Sequence, residues 1–224
     1  MGCILKGGGG LYSRLAVGAV LLAAGAGSRL GHRPKSLLEL GGVPLIRRQL
    51  IALSGAGVDE VVVVLGHHAD AIEAVVSEFP VTLVRNPAPD DGQVSSVLIG
   101  LGALAGKLDA VIVALADQPL VNAQDISALI GAFKKRGEAA MVVPRVNGEP
   151  GNPVMFEAAL REEWLAGNLN AACRRWREAN PDRVHWFDTD NSRYRIDIDT
   201  PEDLLRFTER TGHALRWPVL PVAG

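Results

Sequence analysis

Residues 17–35 read VGAVLLAAGAGSRLGHRPK, an apolar run followed directly by a glycine-rich turn. The run from Val17 to Ala23 has the length and composition of a buried strand. Glycines let a backbone approach phosphate oxygens closely, and the nearby cations Arg29 and Lys35 can hold the charge that a phosphoryl transfer develops. The stretch therefore indicates a strand that ends in a phosphate-binding turn, as nucleoside triphosphate chemistry requires.

Other interpretations of the turn have to be weighed. The dinucleotide fingerprint G-x-G-x-x-G fails at its third glycine, where Leu30 stands, and no convincing ribose-binding acid follows. The phosphate loop G-x-x-x-x-G-K-[ST] fails because Lys35 comes eight residues after Gly27. On the glycines alone, a tight strand-to-loop turn with two solvated cations is favoured. The rest of the chain decides between these interpretations.

Composition narrows the class of protein. The chain has 224 residues, of which 48% are hydrophobic and 21% charged, so one large globular domain is expected. With 23 basic and 25 acidic residues, the chain lacks the excess of positive charge that is typical of proteins that bind nucleic acid or an anionic membrane. Cys3 and Cys173 are its two cysteines, which excludes a disulfide framework and a thiolate metal site.

The N-terminal segment invites a different interpretation. Lys6 and Arg14 precede an apolar run with small residues after it, much as in a secretory signal. Cleavage there would delete the strand and half of the turn, so we interpret the run as a buried strand and expect a cytoplasmic protein. We predict that residues 1–15 are a disordered extension or result from a wrongly assigned start codon. Residues 16–211 are predicted to form a single domain, followed by a C-terminal tail at 212–224.

Strand-like and helix-like patterns alternate beyond the turn. The predicted strands are Val17 to Ala23, Val61 to Leu65, Val81 to Val84, Val111 to Leu115 and Ala140 to Val143. The predicted helices are Pro44 to Gly55, His67 to Phe79, Val94 to Leu104 and Asp125 to Lys135. This order predicts an α/β fold with three layers and a doubly wound, mostly parallel, Rossmann-like sheet. Ligands of such sheets bind beyond the carboxyl ends of the strands, where the glycine turn falls.

Two acidic positions are candidate metal ligands. Asp117 follows the apolar run 110–115 and should emerge at the carboxyl edge of a central strand, where it could hold a hard divalent cation or simply cap a turn. Asp197 and Asp199 alternate with Ile198, which turns both carboxylates to one face, and like charges so close are unfavourable without a cation. A magnesium site shared with Asp117 would remove that objection. Thr200 and Pro201 then fit the start of a helix.

Six segments, taken together, resemble the MobA-like nucleotidyltransferases, with molybdenum cofactor cytidylyltransferases as the most similar members. The resemblance runs from about Val17 to about Phe207, in the same order and with compatible spacing. The segments are LAAGAGSRLG (22–31), KSLL (35–38), Asn86 with GQVSS (92–96), LADQPL (115–120), GNPVMF (151–156) and DIDTPED (197–203).

The resemblance implies transfer of a nucleotide from a triphosphate to a terminal phosphate, with Mg²⁺ and release of pyrophosphate. It implies catalytic roles for Arg29, Lys35 and Asp117, with Asp117 and Asp199 on magnesium and an indirect role for Asp197. The nucleotide-binding residues that it implies are Leu22, Ala23, Ala24, Gly25, Gly27, Ser28, Arg29, Lys35, Gly92, Ser95 and Ser96. The partners that it implies are CTP, a molybdopterin-type phosphate acceptor and a molybdenum hydroxylase recipient, with no role for nucleic acid or membrane.

The resemblance also implies a choice of base, through the residue at position 24. Ala23-Ala24-Gly25 looks like the Ala-Ala-Gly of cytidylyltransferases, whereas guanylyl-transferring relatives carry Ala-Gly-Gly, so CTP is the expected substrate. A single methyl group provides limited discrimination, roughly 1–3 kcal/mol for a methylene-sized change.

The chain departs from the resemblance at residues 167–172, which read GNLNAA where these cytidylyltransferases usually show Gly-Asp-x-Gly-Ala-Arg. This region would face the acceptor. Arg174, Arg175 and Arg177 could bind an anion there, although a solvated amphipathic helix with Trp164 and Trp176 packed inward is favoured. His67 and His68 are interpreted as a helix start.

Two alternatives to a molybdenum cofactor cytidylyltransferase stay open. One is a nucleotidyltransferase for sugar phosphates or related small molecules, which share the glycine turn with its arginine and lysine. The other is a non-catalytic protein that binds and delivers the molybdenum cofactor, which the altered 167–172 stretch favours and the retained Lys35, Asp117 and Asp199 oppose.

Overall fold

A mixed sheet forms the middle layer of the protein. The computed structural model describes residues 14–167 and 173–218. The strands are β1 (Val17–Ala23), β2 (Glu39–Leu40), β3 (Val43–Pro44), β4 (Glu60–Leu65), β5 (Thr82–Arg85), β6 (Ala110–Leu115), β7 (Met141–Val146), β8 (Glu149–Pro150), β9 (Val154–Glu157), β10 (Val184–Asp188) and β11 (Leu215–Arg216). The helices are α1 (Leu45–Gly55), α2 (Ala69–Val76), α3 (Gln93–Ala103), α4 (Ala123–Lys134), α5 (Ala158–Leu165), α6 (Cys173–Ala179) and α7 (Pro201–Thr211).

The strand order of the main sheet is β10-β7-β9-β6-β1-β4-β5, with β8 paired to β7. β1 pairs in parallel with β4 on one side and with β6 on the other, so the winding direction reverses at β1. The prediction of a doubly wound, mostly parallel sheet is confirmed, and each of the five predicted strands is present. β9 was not predicted: it lies antiparallel between β6 and β7 and takes its extended conformation from pairing with these two strands.

Helices cover both faces of the sheet because β1 is apolar on both of its faces. Ala19, Leu21 and Ala23 point into one apolar cluster, together with buried side chains of α1, α2 and α4. Val20 and Leu22 point into the other cluster, together with buried side chains of α3, α5 and α6. Each large apolar side chain removed from water contributes about 1.5–3 kcal/mol, so the two clusters hold the three layers together. None of the helices within the described ranges has the length and apolar character needed to cross a membrane.

A second, small sheet joins the segment after the glycine turn to the C-terminal residues. It has the order β11-β2-β3. A third apolar cluster packs beside it and brings together Leu30, Leu38, Ile198 and Phe207. Two segments that are far apart in sequence are thereby held side by side.

Both predicted terminal segments touch the domain at their inner ends. Arg14 donates a hydrogen bond to the Gly57 carbonyl and pairs with Asp59, while Leu15 packs against the core. Residues 1–13, most of the predicted extension, lie outside the described residues. In the tail, β11 pairs with β2, and the Arg33 guanidinium lies 3.9 Å from the centre of the Trp217 ring.

Candidate active site

The glycine turn leaves β1 at the carboxyl edge of the sheet, where the winding direction reverses. The carbonyl of Gly27 accepts hydrogen bonds from the Leu30 and His32 amides at 2.9 and 3.0 Å. Gly27 has φ 62°, and a Cβ added there would lie 2.0 Å from the Arg33 carbonyl oxygen. Glycine is therefore required at position 27 by backbone conformation and by close approach.

Lys35 lies between two carboxylates that come from distant parts of the chain. Its Nζ donates to Asp199 Oδ1 at 2.6 Å and forms an ion pair with Asp117 Oδ2. The side chains of Lys35 and Asp117 are 22% and 11% exposed, whereas that of Asp199 is 45% exposed. The three groups come from three segments that are far apart in sequence, and they meet at one point.

Backbone contacts explain why Asp199 reaches this point. Asp117 follows β6, and its carbonyl accepts a hydrogen bond of 3.2 Å from the Ile198 amide. Ile198 is buried, which directs Asp197 and Asp199 to the opposite face, where both line a cavity. Thr200 then caps α7 through a capping box with Asp203, so the helix start fixes the end of this segment.

The cluster carries more negative than positive charge. Burial raises the pKa of Asp117, and Asp199 adds to the rise, while Lys35 opposes it. Burial lowers the pKa of Lys35, but the attraction of Asp117 and Asp199 outweighs that effect and the net shift is upward. Burial, followed by repulsion from Asp117 and Asp199, raises the pKa of Asp197. Two carboxylates contact the one ammonium group, and the charge of Asp197 lies close enough to be felt by both. This excess of negative charge favours the binding of a further cation.

The residues present fit a hard divalent cation. Asp117 Oδ1 is buried and has no hydrogen-bond partner among the described residues, so an oxygen ligand is free at the centre of the cluster. Asp199 provides a second carboxylate beside it. The described residues contain no cluster of three or more histidine, cysteine, aspartate or glutamate side chains that could hold a metal ion. Mg²⁺ is commonly held by one or two carboxylates together with substrate phosphates, and this pair matches that pattern.

Two cavities meet at Lys35 and Asp117. The smaller has a volume of 210 Å³ and lies against Ala24, Gly25, Gly92 and Ser96. The larger has a volume of 790 Å³ and extends from Asp197 and Asp199 to α6. Since the two share the lysine and the buried aspartate, the charged cluster stands where their contents would meet.

The segment before α3 forms the far wall of the smaller cavity. Gly92 is the N-cap of α3 with φ 88°. The Asn86 side-chain amide donates to Ser95 Oγ at 2.8 Å and to Ser96 Oγ at 2.9 Å, and Ser95 Oγ donates to the Gly92 carbonyl at 2.9 Å. Gly92 and Ser96 line the cavity, whereas Ser95 lies outside its lining and holds the turn.

Some predicted site residues are not gathered with the others. Leu22 lines the smaller cavity, whereas Ala23, the last residue of β1, packs into the apolar cluster on the other face of the sheet. Ser28 and Arg29 are exposed because the turn at 28–30 buries Leu30 and directs them outward. Within residues 14–167 and 173–218, Arg29 has no hydrogen bond or ion pair and lines neither cavity.

Several residues around the site were not selected from the sequence. The Gln118 amide donates to the carbonyls of Asn152 and Tyr194, each at 3.2 Å, and so links the end of β6 to the segment that leads to Asp197. A Cβ at Gly151 would lie 2.7 Å from the Tyr194 carbonyl oxygen. The motifs DQP and GNPV contain Gln118, Gly151 and Asn152, so the resemblance marked these residues without giving them a role.

The helix α6 packs one face against the core and turns arginines towards the larger cavity, so both interpretations of its sequence apply. Trp164 and Trp176 are buried, with ring centres 6.4 Å apart, as the amphipathic interpretation predicts. Arg174, Arg175 and Arg177 nevertheless line the larger cavity. Five residues of the altered stretch, 168–172, lie outside the described residues.

Comparison with known proteins identifies the family. The profile of the MobA-like NTP transferase domain matches residues 19–184. The chain belongs to this family. The matched range contains the glycine turn, Lys35 and Asp117, and it ends before Asp199.

Two relatives cover nearly the whole domain. The nicotine blue oxidoreductase of Paenarthrobacter nicotinovorans is 33% identical over 197 residues, which are 85% of this chain and 95% of that protein. A nucleotidyl transferase from Methanothermobacter has a structure with a TM-score of 0.71 and 28% identity, over 87% of this chain and 97% of that one.

A more distant relative of the same fold is a Mycobacterium tuberculosis protein whose structure was solved in complex with manganese. Its TM-score is 0.67 at 23% identity, covering 87% of this chain and 98% of that one. These comparisons confirm the predicted family and the nucleotidyltransferase fold.

Proposed function

We propose that this protein transfers CMP from CTP to a terminal phosphate, in particular that of molybdopterin carrying molybdenum, and releases pyrophosphate. The observation that carries the proposal is Lys35 paired with both Asp117 and Asp199 where two cavities meet. In the proposal the triphosphate follows the glycine turn and the acceptor occupies the larger cavity. The cofactor would be Mg²⁺, the location the cytoplasm, and the catalytic unit residues 16–211.

The reaction forms a bond between an acceptor phosphate oxygen and the α-phosphorus of CTP, while the bond to the β-phosphate oxygen breaks. Pyrophosphate leaves with the electron pair of the broken bond. Such a transfer needs in-line positioning and neutralisation of charge more than covalent chemistry by the protein. Lys35 supplies positive charge beside the reacting groups, and the backbone of Gly25 and Gly27 allows close approach of phosphate.

Asp117 and Asp199 would hold the divalent cation. When bound, that cation neutralises phosphate charge and orients the triphosphate. The buried, unpartnered Asp117 Oδ1 is the atom that most needs such a partner. Arg29 would have to turn inward from the surface to act on the leaving group, so its catalytic role is a prediction that the resemblance alone supports.

The base would lie in the smaller cavity. The buried Ala24 in its wall adds one methyl group relative to glycine, which favours a pyrimidine over a purine. Leu22, Gly92 and Ser96 line the same cavity. Because position 24 differs from glycine by one methyl group, the preference for CTP over GTP should be moderate.

The acceptor would lie in the larger cavity, whose wall contains three arginines of α6. Arg174 is partly neutralised by Glu178 at 2.9 Å, whereas Arg175 and Arg177 have no ion pair within the described residues. Burial lowers the pKa of Arg177, so its charge would be better stabilised by an anion in the cavity than by the present surroundings. This wall fits an acceptor that carries phosphate, and the product would be handed to a molybdenum hydroxylase.

The test is a pyrophosphate-release assay that crosses CTP, GTP, ATP and UTP with molybdopterin and a panel of sugar phosphates, with and without Mg²⁺. Release that requires CTP, molybdopterin and Mg²⁺ together is the expected result. Release with a sugar phosphate but not with molybdopterin would show that the acceptor is a sugar phosphate. Binding of finished molybdopterin cytosine dinucleotide without any release would favour the delivery protein.

An oxidoreductase is the second candidate, because this chain is 33% identical to a nicotine blue oxidoreductase over 95% of the length of that protein. The same protein preparation should therefore be incubated with NADH or NADPH and nicotine blue while the absorbance of the reduced nicotinamide is followed. Oxidation of the nicotinamide that persists in the Lys35→Met variant would separate such an activity from nucleotidyl transfer.

A further inference from the structure

The side chains of the two histidines that follow β4 contact the two segments that supply opposite walls of the smaller cavity. His68 stands at the N-cap of α2, but its side chain makes no hydrogen bond to that helix. Its Nε2 instead lies 3.0 Å from the carbonyl oxygen of Ala26, in the middle of the glycine turn. A carbonyl oxygen can only accept, so Nε2 carries the hydrogen and donates it.

The backbone beside His68 is fitted to the same turn. A Cβ at Gly66 would lie 2.5 Å from the Ala24 carbonyl oxygen, so only glycine permits the observed approach. The His67 amide donates to that carbonyl at 3.4 Å. Residues 66–68 therefore hold the glycine turn through two backbone carbonyls, those of Ala24 and Ala26.

The opposite wall is reached through the neighbouring side chain. His67 Nε2 lies 3.0 Å from Asp90 Oδ1, on the short helical turn Pro89–Asp91. Pro89 and Gly92 line the smaller cavity opposite Ala24 and Gly25. The segment 66–68 thus joins both sides of the proposed nucleotide site while lying outside it.

A glycine turn needs such support. Gly25 and Gly27 flank Ala26, and glycine has more backbone freedom than any other residue, so an unsupported turn would sample many conformations. A site that is already ordered binds its ligand more tightly because less freedom is lost on binding. We propose that His68 is a positioning residue: its Nε2–H fixes the Ala26 carbonyl and holds the turn in the conformation that accepts the triphosphate. This inference rests on the proposed nucleotide site.

The test compares two substitutions of one side chain. His68→Leu keeps an apolar body but removes the donor, whereas His68→Gln keeps an N–H that can reach the same carbonyl. His213→Leu is the matched control, because His213 is exposed and takes part in hydrogen bonds only through its backbone. Circular dichroism and thermal unfolding establish that each variant is folded.

The measurements are the Kd of CTP with Mg²⁺ by titration calorimetry, and the kcat and KM of pyrophosphate release. For His68→Leu we expect the Kd and KM of CTP to rise about tenfold, equivalent to about 1.4 kcal/mol, with little change in kcat at saturating CTP. His68→Gln should return the Kd to within about threefold of the original protein. Asp90→Asn should change it by less than about threefold, because the Asp90 side chain is 85% exposed.

The outcomes separate this inference from the proposed function. If the original protein binds CTP and His68→Leu binds it equally well, the positioning role is wrong. The role is also wrong if His68→Gln binds as weakly as His68→Leu, since the donor would then be irrelevant. If the original protein binds no nucleoside triphosphate and releases no pyrophosphate, the proposed function fails and this inference fails with it.

Discussion

Replacing Lys35 by methionine tests the charged cluster most directly. Methionine keeps most of the apolar stem, which packs beside Gly25, but it removes the ammonium group from between Asp117 and Asp199. Removing one partner of a buried ion pair typically costs about 3–5 kcal/mol, because the other charge is left uncompensated. An exposed ion pair contributes only about 0–1 kcal/mol to the free energy of unfolding, and the pair of Lys35 with the half-exposed Asp199 belongs to this class.

The structure selects the lower end of that range. Asp117 is 11% exposed but borders two cavities that admit water, so we expect Lys35→Met to lower the free energy of unfolding by about 3 kcal/mol. For a domain of this size, that loss corresponds to a decrease in Tm of roughly 6–12 °C. Nucleotidyl transfer should fall by roughly 10²–10³, as for the loss of one charge-stabilising group.

The assay is urea unfolding of metal-free protein in EDTA at pH 8, on four proteins: the original, Lys35→Met, Asp117→Asn and the double variant. Adding Asp117→Asn to the Lys35→Met variant should restore about 2 kcal/mol of the free energy of unfolding, because the uncompensated charge disappears. Lys134→Met, on the exposed end of α4, is the control and should change stability by less than about 0.5 kcal/mol. The reasoning is refuted if Lys35→Met unfolds like the original protein, or if adding Asp117→Asn destabilises it further.

Four further predictions concern metal, base, thiol and helix start. EDTA should abolish pyrophosphate release, and either Mg²⁺ or Mn²⁺ should restore it; activity that survives chelation would contradict a carboxylate-bound metal. Ala24→Gly should raise the ratio of GTP to CTP turnover by about tenfold or less, measured as kcat/KM, and an unchanged ratio would remove position 24 from base selection. In a Cys3→Ser background, the rate at which iodoacetamide alkylates Cys173 should rise about tenfold per pH unit from pH 8 to pH 10, because burial raises the pKa of this thiol to about 12. The rate is followed by mass spectrometry, and a rate that levels off near pH 9 would contradict the prediction. Asp125→Ala should lower stability by about 3 kcal/mol in thermal or urea unfolding, because this buried carboxylate accepts three side-chain and backbone hydrogen bonds, whereas Asp182→Ala on an exposed turn should change little.

The alternation of the main strands and helices could be predicted because each has a clear apolar period. Val61 to Leu65 lies directly between Glu60 and Gly66, and the apolar run around Val111 to Leu115 ends at Asp109 and Asp117. Both runs lie in central strands of the sheet, so a short apolar run between polar or glycine residues predicted each strand correctly. β9 could not be predicted in the same way. Its four residues take their conformation from pairing with β6 and β7, which are separated from each other in sequence, so no local pattern marks it.

The site could be predicted in part for the same physical reason. Asp117 stands out because a carboxylate at the end of a buried strand needs a partner. Asp197 and Asp199 stand out because two like charges so close together are unfavourable without a cation. The contact of His68 with Ala26 left no signal, because a histidine before a helix is fully explained by the helix start. Arg29 shows the opposite case: its place in the motif suggested the site, whereas the burial of Leu30 beside it turned its side chain to the surface.

Lys35 and Asp199 are separated by 164 residues, yet they form one contact. Protein synthesis proceeds from the N-terminus, so a growing chain can complete its first strands and the glycine turn long before Asp199 has been added. During that time the emerging fragment holds a lysine and a buried aspartate without the carboxylate opposite them. Translation itself therefore delays assembly of the charged cluster until most of the polypeptide has left the ribosome, and fragments released early would lack it.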